Sequence, residues 1–121
     1  MRSMPVDFAT VRRLALALPG VEEGTSYGTP GFRVRGKYFF RLREDGETLA
    51  LRIDFDTRDF LMTANPETFY ITDHYRGYPA ILVRLAAVDP GELREVLEEA
   101  WRQIAPKRLV ASLETTGKRR L

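Results

Sequence analysis

The stretch FRVRGKYFFRLREDGETLALRIDF, Phe32 to Phe55, alternates apolar and charged residues at the period of two that a half-buried strand requires. Residues 32–35 and 38–43 predict two strands around Gly36-Lys37. Glu44-Asp45-Gly46 marks a second turn, because Asp-Gly suits the mirror-image turns that join hairpins. In TLALRIDF, Leu49, Leu51, Ile53 and Phe55 share one face, and Thr48, Ala50, Arg52 and Asp54 share the other. The segment therefore predicts a three-stranded antiparallel meander.

Its first hairpin is strongly basic. Arg33, Arg35, Lys37, Arg41 and Arg43 fall within residues 31–43, with no acid among them. A two-residue loop at Gly36-Lys37 sets Arg35 opposite Tyr38 and puts the two arginine pairs on opposite faces. A three-residue loop gathers them on one face and leaves Phe32, Val34, Phe40 and Leu42 for the other. The sequence leaves both open. A basic antiparallel ribbon can contact phosphates or base edges of DNA. The plainer reading is a solvated face neutralised by Glu44, Asp45, Glu47, Asp54 and Asp56.

On the N-terminal side, Asp7 is placed to cap a helix, with Val6 packing back against it. Phe8, Val11, Leu14, Ala15 and Leu18 give that helix one apolar face, and Leu18-Pro19-Gly20 stops it. VEEGTSYGTPG, Val21 to Gly31, is rich in glycine and reads as a loop. It lacks the lysine and the spacing of a P-loop. On the C-terminal side, Asp56 is placed to cap a short helix, with Phe60, Leu61 and Ala64 buried and Asn65-Pro66 ending it. TFYIT predicts a short strand. Ile81, Val83 and Leu85 alternate with Leu82, Arg84 and Ala86 in another. Asp89, Pro90 and Glu92 open a long helix, whose stripe is Leu93, Val96, Leu97, Ala100, Trp101 and Ile104. Pro106 interrupts it, and KRLVASLE follows as a short helix.

The apolar stripes are all buried if two helices cover one face of a mostly antiparallel sheet. The expected fold is α+β, a two-layer sandwich. The chain has 121 residues, which fits one domain over 1–121. Residues 115–121 are expected to form a flexible basic tail. The net charge is only +2, but its distribution is uneven. Trp101–Leu121 holds six basic residues and one acid, while Leu61–Ala100 holds three basic residues and seven acids. A basic end favours polyanions.

With no cysteine, the chain has no disulfides, thiolate catalysis or cysteine-bound metal. One histidine is too few for a histidine metal cage. The acids Glu92, Glu95, Glu98 and Glu99 read as a solvated helix face, with Arg94 and Arg102 as partners. No metal or cofactor is expected. The N-terminus lacks the apolar run of a signal peptide, and no apolar segment is long enough to cross a bilayer. The expected location is the cytoplasm.

HYRGYP, His74 to Pro79, concentrates the remaining chemistry. His74 beside Asp73 has the ingredients of a general base, with Ser26 or Thr25 as its nucleophile only if the glycine-rich loop folds over it. The simpler reading is a structural corner. Gly77 permits the turn, Pro79 keeps the approach extended, and Arg76 with one tyrosine faces solvent. Tyr75, Arg76 and Tyr78 then supply contact area and charge.

Three segments resemble the MmcQ/YjbR family: ALPGVEEGTSYGTPGFRVRGKYFFRL (Ala17–Leu42), HYRGYPAILVRL (His74–Leu85) and AWRQIAPKRL (Ala100–Leu109). The resemblance runs from about Asp7 to Leu113. It implies a fold similar to bacterial frataxin, a YjbR/CyaY-like double wing, although the first helix lacks the acidic ridge associated with frataxins. Members of that family are commonly labelled DNA-binding, and the resemblance brings no catalytic residues with it. The expected function is DNA binding without catalysis, through Arg33, Arg35, Lys37, Arg41, Arg43, Tyr75, Arg76, Tyr78, Lys107 and Arg108. The alternative is a protein-interaction or small-acidic-ligand module in which SYGTP and HYRGYP wall one concave patch. The oligomeric state stays open.

Overall fold

The computed structural model describes residues 6–119, with 115–119 given by backbone alone. The elements are α1 (Phe8–Leu16), β1 (Val21–Ser26), β2 (Thr29–Val34), β3 (Lys37–Leu42), β4 (Thr48–Arg52), α2 (Phe55–Ala64), β5 (Phe69–Tyr70), β6 (Ala80–Arg84), α3 (Pro90–Ile104) and α4 (Lys107–Arg119). Among the described residues, six strands form one sheet in the order β1-β2-β3-β4-β6-β5. Every neighbouring pair is antiparallel. The fold is α+β, as the patterning predicts.

The pleat sends Phe32, Val34, Phe40, Leu49, Leu51, Ile81 and Val83 to one face, where α1 and α3 cover them with Val11, Ala15, Leu93, Leu97 and Trp101. All of these side chains are buried. Trp101 joins the two helices. It is fully buried, and its indole Nε1 donates to the Pro19 carbonyl at 2.8 Å, just beyond the end of α1. That bond satisfies the one polar atom that burying tryptophan brings into a core. Val6 is also buried, and its N–H donates to the Leu85 carbonyl at 3.1 Å, so the chain entering α1 is tied to the end of β6.

The caps follow the aspartates. Asp7 Oδ1 accepts from Thr10 N at 2.9 Å, which holds the Asp7 carboxyl below its ordinary pKa. Asp89 Oδ2 accepts from Gly91 N and Glu92 N at 2.9 and 3.4 Å, with Pro90 at the first helical position. The Glu92 carboxylate reaches across to accept from Asn65 Nδ2 at 3.2 Å.

Four expectations change. First, VEEGTSYGTPG is no loop: it forms β1, a tight turn at Tyr27-Gly28 and the start of β2. Its middle is polar and exposed, so no hydrophobic alternation announces it; the backbone ladder from Val21↔Val34 to Ser26↔Thr29 holds it. The three-stranded meander is thereby four-stranded. Second, Asp54 caps α2 in place of Asp56, accepting from Thr57 N at 3.4 Å. Helical phase therefore shifts: Phe60 is 69% exposed, Phe55 and Ala64 are exposed, and Arg58 is buried. Third, Gly77 is not in the left-handed region, and a Cβ there would meet nothing, so the turn does not need glycine. Fourth, KRLVASLE begins a longer helix, α4, whose backbone runs on through 115–119. The side chains of the expected basic tail, and residues 120–121, lie outside the described residues.

Replacing Trp101 with phenylalanine should keep most of the apolar burial but strand the Pro19 carbonyl. The expected loss is about 1–3 kcal/mol, read from urea unfolding curves with an unchanged m-value.

Candidate functional site

The face of the sheet turned away from α1 and α3 is shaped by one irregularity. Between β2 and β3 the register runs Val34↔Lys37, Arg33↔Tyr38, then Phe32↔Phe40, so Phe39 is an extra residue, a β-bulge. Phe39 and Phe40 are both fully buried. After the bulge the alternation resumes one residue out of phase. Arg33, Tyr38 and Arg41 consequently share the open face, with Arg41 opposite Gly31. The hairpin loop is the pair Arg35-Gly36, with φ of 50° and 85°. The arginines of β2 and β3 meet because of the bulge, not because of a three-residue loop.

Two walls rise beside this floor. The first is the β1–β2 turn, where Tyr27 and Gly28 have φ of 55° and 80°, the geometry of a type I′ hairpin turn. Tyr27 is 82% exposed, and its ring lies 5.1 Å from the Arg41 guanidinium carbon. Gly31 lets the hairpin lie close: a Cβ there would sit 2.7 Å from Ser26 Cβ. The second wall is the short 3-10 turn Asp73–Tyr75 and the chain through Tyr78. It is held from behind by Arg58. That buried guanidinium donates through Nη1 to the carbonyls of Tyr75 (3.1 Å) and Tyr78 (2.8 Å), and through Nη2 to that of Arg76 (3.3 Å). Its Nε lies 3.5 Å from Asp59 Oδ1.

Between the walls is an open groove of about 880 Å³, bordered by Thr25, Ser26 and Tyr27 on one side and His74, Tyr75 and Tyr78 on the other, with Arg33, Tyr38 and Arg41 on the floor. Tyr38 is fixed by its O–H, which donates to the Ala50 carbonyl at 2.6 Å. Burial pushes its phenol well above the ordinary tyrosine pKa, against the lowering charge of Arg41. Arg41 lies 3.5 Å from Glu44, its side chain only 12% exposed. Arg43 stacks over Tyr75 at 5.8 Å, and its Nε is buried without a hydrogen-bond partner. Among the described residues, Arg33, Arg35, Lys37 and Arg43 form no ion pair, so the hairpin charge is not neutralised residue by residue.

The structure thus gathers Arg33, Arg41, Tyr75 and Tyr78 in one groove, with Arg43 against its wall. The others lie elsewhere. Arg35 leans toward Gly20, where a Cβ would come within 3.5 Å of its Nε. Lys37 is exposed at the start of β3, and Lys107 and Arg108 are exposed at the start of α4. Arg76 is exposed and paired with Asp73 at 2.6 Å. Asp73 thus serves Arg76, and the His74 ring instead meets Tyr75 and Tyr78, at 5.0 and 5.9 Å between centroids. Tyr38 was not given a site role by the sequence, Tyr27 entered only within SYGTP, and Glu44 was expected as a neutralising acid, which its pairing with Arg41 bears out. The doublet Phe39-Phe40, which breaks the alternation, is the signal that could have found Tyr38. Among the described residues, no cluster of histidines and carboxylates could hold a metal ion, and no helix is long and apolar enough to cross a membrane.

Replacing Arg58 with methionine should leave the Arg76 carbonyl unpaired and reduce the carbonyls of Tyr75 and Tyr78 to one backbone donor each, Tyr78 N and Ala80 N. We expect a loss of roughly 1–3 kcal/mol in urea unfolding, with faster amide exchange across residues 73–78. Tyr38 gives a pH signature. Below about pH 10 its phenol is neutral in both states; above that the unfolded chain releases the proton and the folded one does not, so stability falls as pH rises. Tyr38→Phe should flatten this alkaline loss in urea melts on either side of about pH 10.

Comparison with known proteins places the chain. A family model described as YjbR matches residues 16–103. Over 74 residues the chain is 39% identical to the uncharacterized protein Rv2570 of Mycobacterium tuberculosis, and equally to Mb2600 of Mycobacterium bovis. Those matches cover 60% of this chain and 57% of each relative, so the chain spans a little over half the length of the curated relatives it matches. The crystal structure of Deinococcus radiodurans protein DR2400, with a DUF419 domain, is similar at a TM-score of 0.67 and 19% identity. That match covers 84% of this chain and 80% of the other, and is a likeness of fold. The chain belongs to the YjbR family.

Proposed function

We propose that this protein is a cytoplasmic, non-catalytic nucleic-acid-binding protein that holds DNA against the open face of its sheet. The observation that carries the reading is the β3 bulge, which turns Arg33 and Arg41 onto one face across from Tyr75 and Tyr78. Cations supply affinity for phosphate, and aromatic rings beside them supply contact with bases. Arg35, Lys37, Arg76, Lys107 and Arg108 act as outlying charges that raise the local potential. The non-catalytic part of the reading is supported by Asp73, which is engaged by Arg76 and leaves His74 without the carboxylate that would orient a general base. The finer fold reading, a YjbR/CyaY-like double wing, rests on the order of one helix, an antiparallel sheet and a covering helix.

A second reading draws on the meeting of SYGTP and HYRGYP at one groove: a small acidic ligand, or an acidic segment of a partner protein, sits between the tyrosines. Calorimetric titration with small aromatic acids selects this reading if they saturate the site and DNA does not.

The test of the leading reading is fluorescence anisotropy with labelled DNA at several salt concentrations. Log affinity should fall linearly with log salt, and Arg33→Ala should reduce the slope by about one phosphate contact. Absence of binding at high micromolar protein in low salt would overturn it.

A further inference from the structure

We infer that the groove accepts an unpaired strand rather than a duplex. The inference rests on the nucleic-acid reading above and narrows it.

Shape is the first argument. A duplex is read by elements that protrude, a helix or a ribbon entering a major groove about 12 Å wide. Here the arrangement is inverted. The cation Arg41 lies on the floor with its side chain 12% exposed, while the rings of Tyr27 and Tyr78, 82% and 58% exposed, stand at the lips. A duplex resting on those lips reaches Arg41 poorly. A single strand can descend between them and bring a phosphate to Arg33 and Arg41.

Chemistry is the second argument. The groove sets ring faces beside the hydroxyls of Thr25 and Ser26 and the charges of Arg33, Arg41 and Glu44. Tyr27, His74, Tyr75 and Tyr78 border it, and Tyr38, whose hydroxyl is engaged by Ala50, presents its ring. Ring faces recognise ring faces. Those of bases in a duplex are occupied by their neighbours, whereas an unpaired base has its faces free.

The third argument is the backbone at Tyr27. The first central position of a type I′ turn favours asparagine, aspartate or glycine, and a bulky residue at a φ of 55° is strained. The fold recovers little of this by burial, because the side chain is largely exposed and its ring contact is with Arg41 at the groove. Glycine would suit the turn better but would remove the lip. Turn stability and a stacking surface therefore pull in opposite directions at this one position.

Anisotropy titrations of a short labelled oligothymidine and of a blunt duplex of equal length, in the same low-salt buffer, test the inference. The single strand should bind about tenfold tighter or better. Tyr27→Gly should melt at the parent temperature or above it, yet bind the single strand about tenfold more weakly. Tyr78→Ala, checked by the same melts, should weaken it similarly. Equal affinity, or tighter duplex binding, overturns the inference and leaves the nucleic-acid reading standing. Unchanged single-strand binding in both folded variants overturns it as well. Failure of the parent protein to bind either probe overturns both.

Discussion

Phe39 and Phe40 are consecutive, and both are fully buried on the helix-covered side, which a regular strand forbids. The bulge that resolves this conflict shapes both faces of the sheet. On the core side it lets Phe40 stack on Phe32 at 4.6 Å while Phe39 meets Phe40 edge-on at 4.9 Å. Two aromatic side chains are buried where regular alternation would place one, and each such ring carries a large share of core energetics. On the other side the phase shift aligns Arg33 with Arg41. The groove exists because the core demanded an extra ring.

The groove's second wall depends on an unusual division of labour. Arg58 sits on α2, yet its bonds go to carbonyls of the chain before β6. A buried guanidinium without strong partners would be costly; the three carbonyls supply them at both Nη atoms, while Nε, 3.5 Å from Asp59, makes no hydrogen bond. The site thus combines a wall fixed by hydrogen bonds with a wall fixed by the β1–β2 ladder. Both bear on a floor that is pinned by the hydroxyl of Tyr38.

Some of this was written plainly in the chain. α1 and α3 were legible because amphipathic spacing and capping aspartates agree, and Trp101 falls squarely in its stripe. The central strands were legible because apolar residues recur at every second position of β4 and β6 between clear turn signals, even though both faces of those strands are buried. β1 was not, since Glu22 to Thr25 are exposed and carry no apolar rhythm, and Tyr27-Gly28 lacks the Asn-Gly signature of its turn. The phase of α2 was lost with its cap, because the alternation of TLALRIDF carried Asp54 and Phe55 into the strand, whereas β4 ends at Arg52 and Gln103 bonds Asp54 where α2 begins. The role of Arg58 was out of reach: its partners are carbonyls 17–20 residues away, and carbonyls have no sequence identity. The meeting of Arg33 with Arg41 required the bulge, and a phenylalanine doublet is a weak sign of one.

β1 closes one side of the sheet, and its character bears on how the molecule behaves among copies of itself. An edge strand offers unpaired amides and carbonyls to any extended chain that approaches. Here the approaching strand meets Glu22 and Glu23, the latter held by Arg12 of α1 at 2.8 Å, and Gly24, which offers no side chain to pack against. Two such edges aligned antiparallel would bring carboxylates face to face, a repulsive pairing. The opposite edge, β5, is only two residues long and gives a newcomer little to grip. The sheet can therefore keep a groove open on one face without inviting its own growth into a fibre.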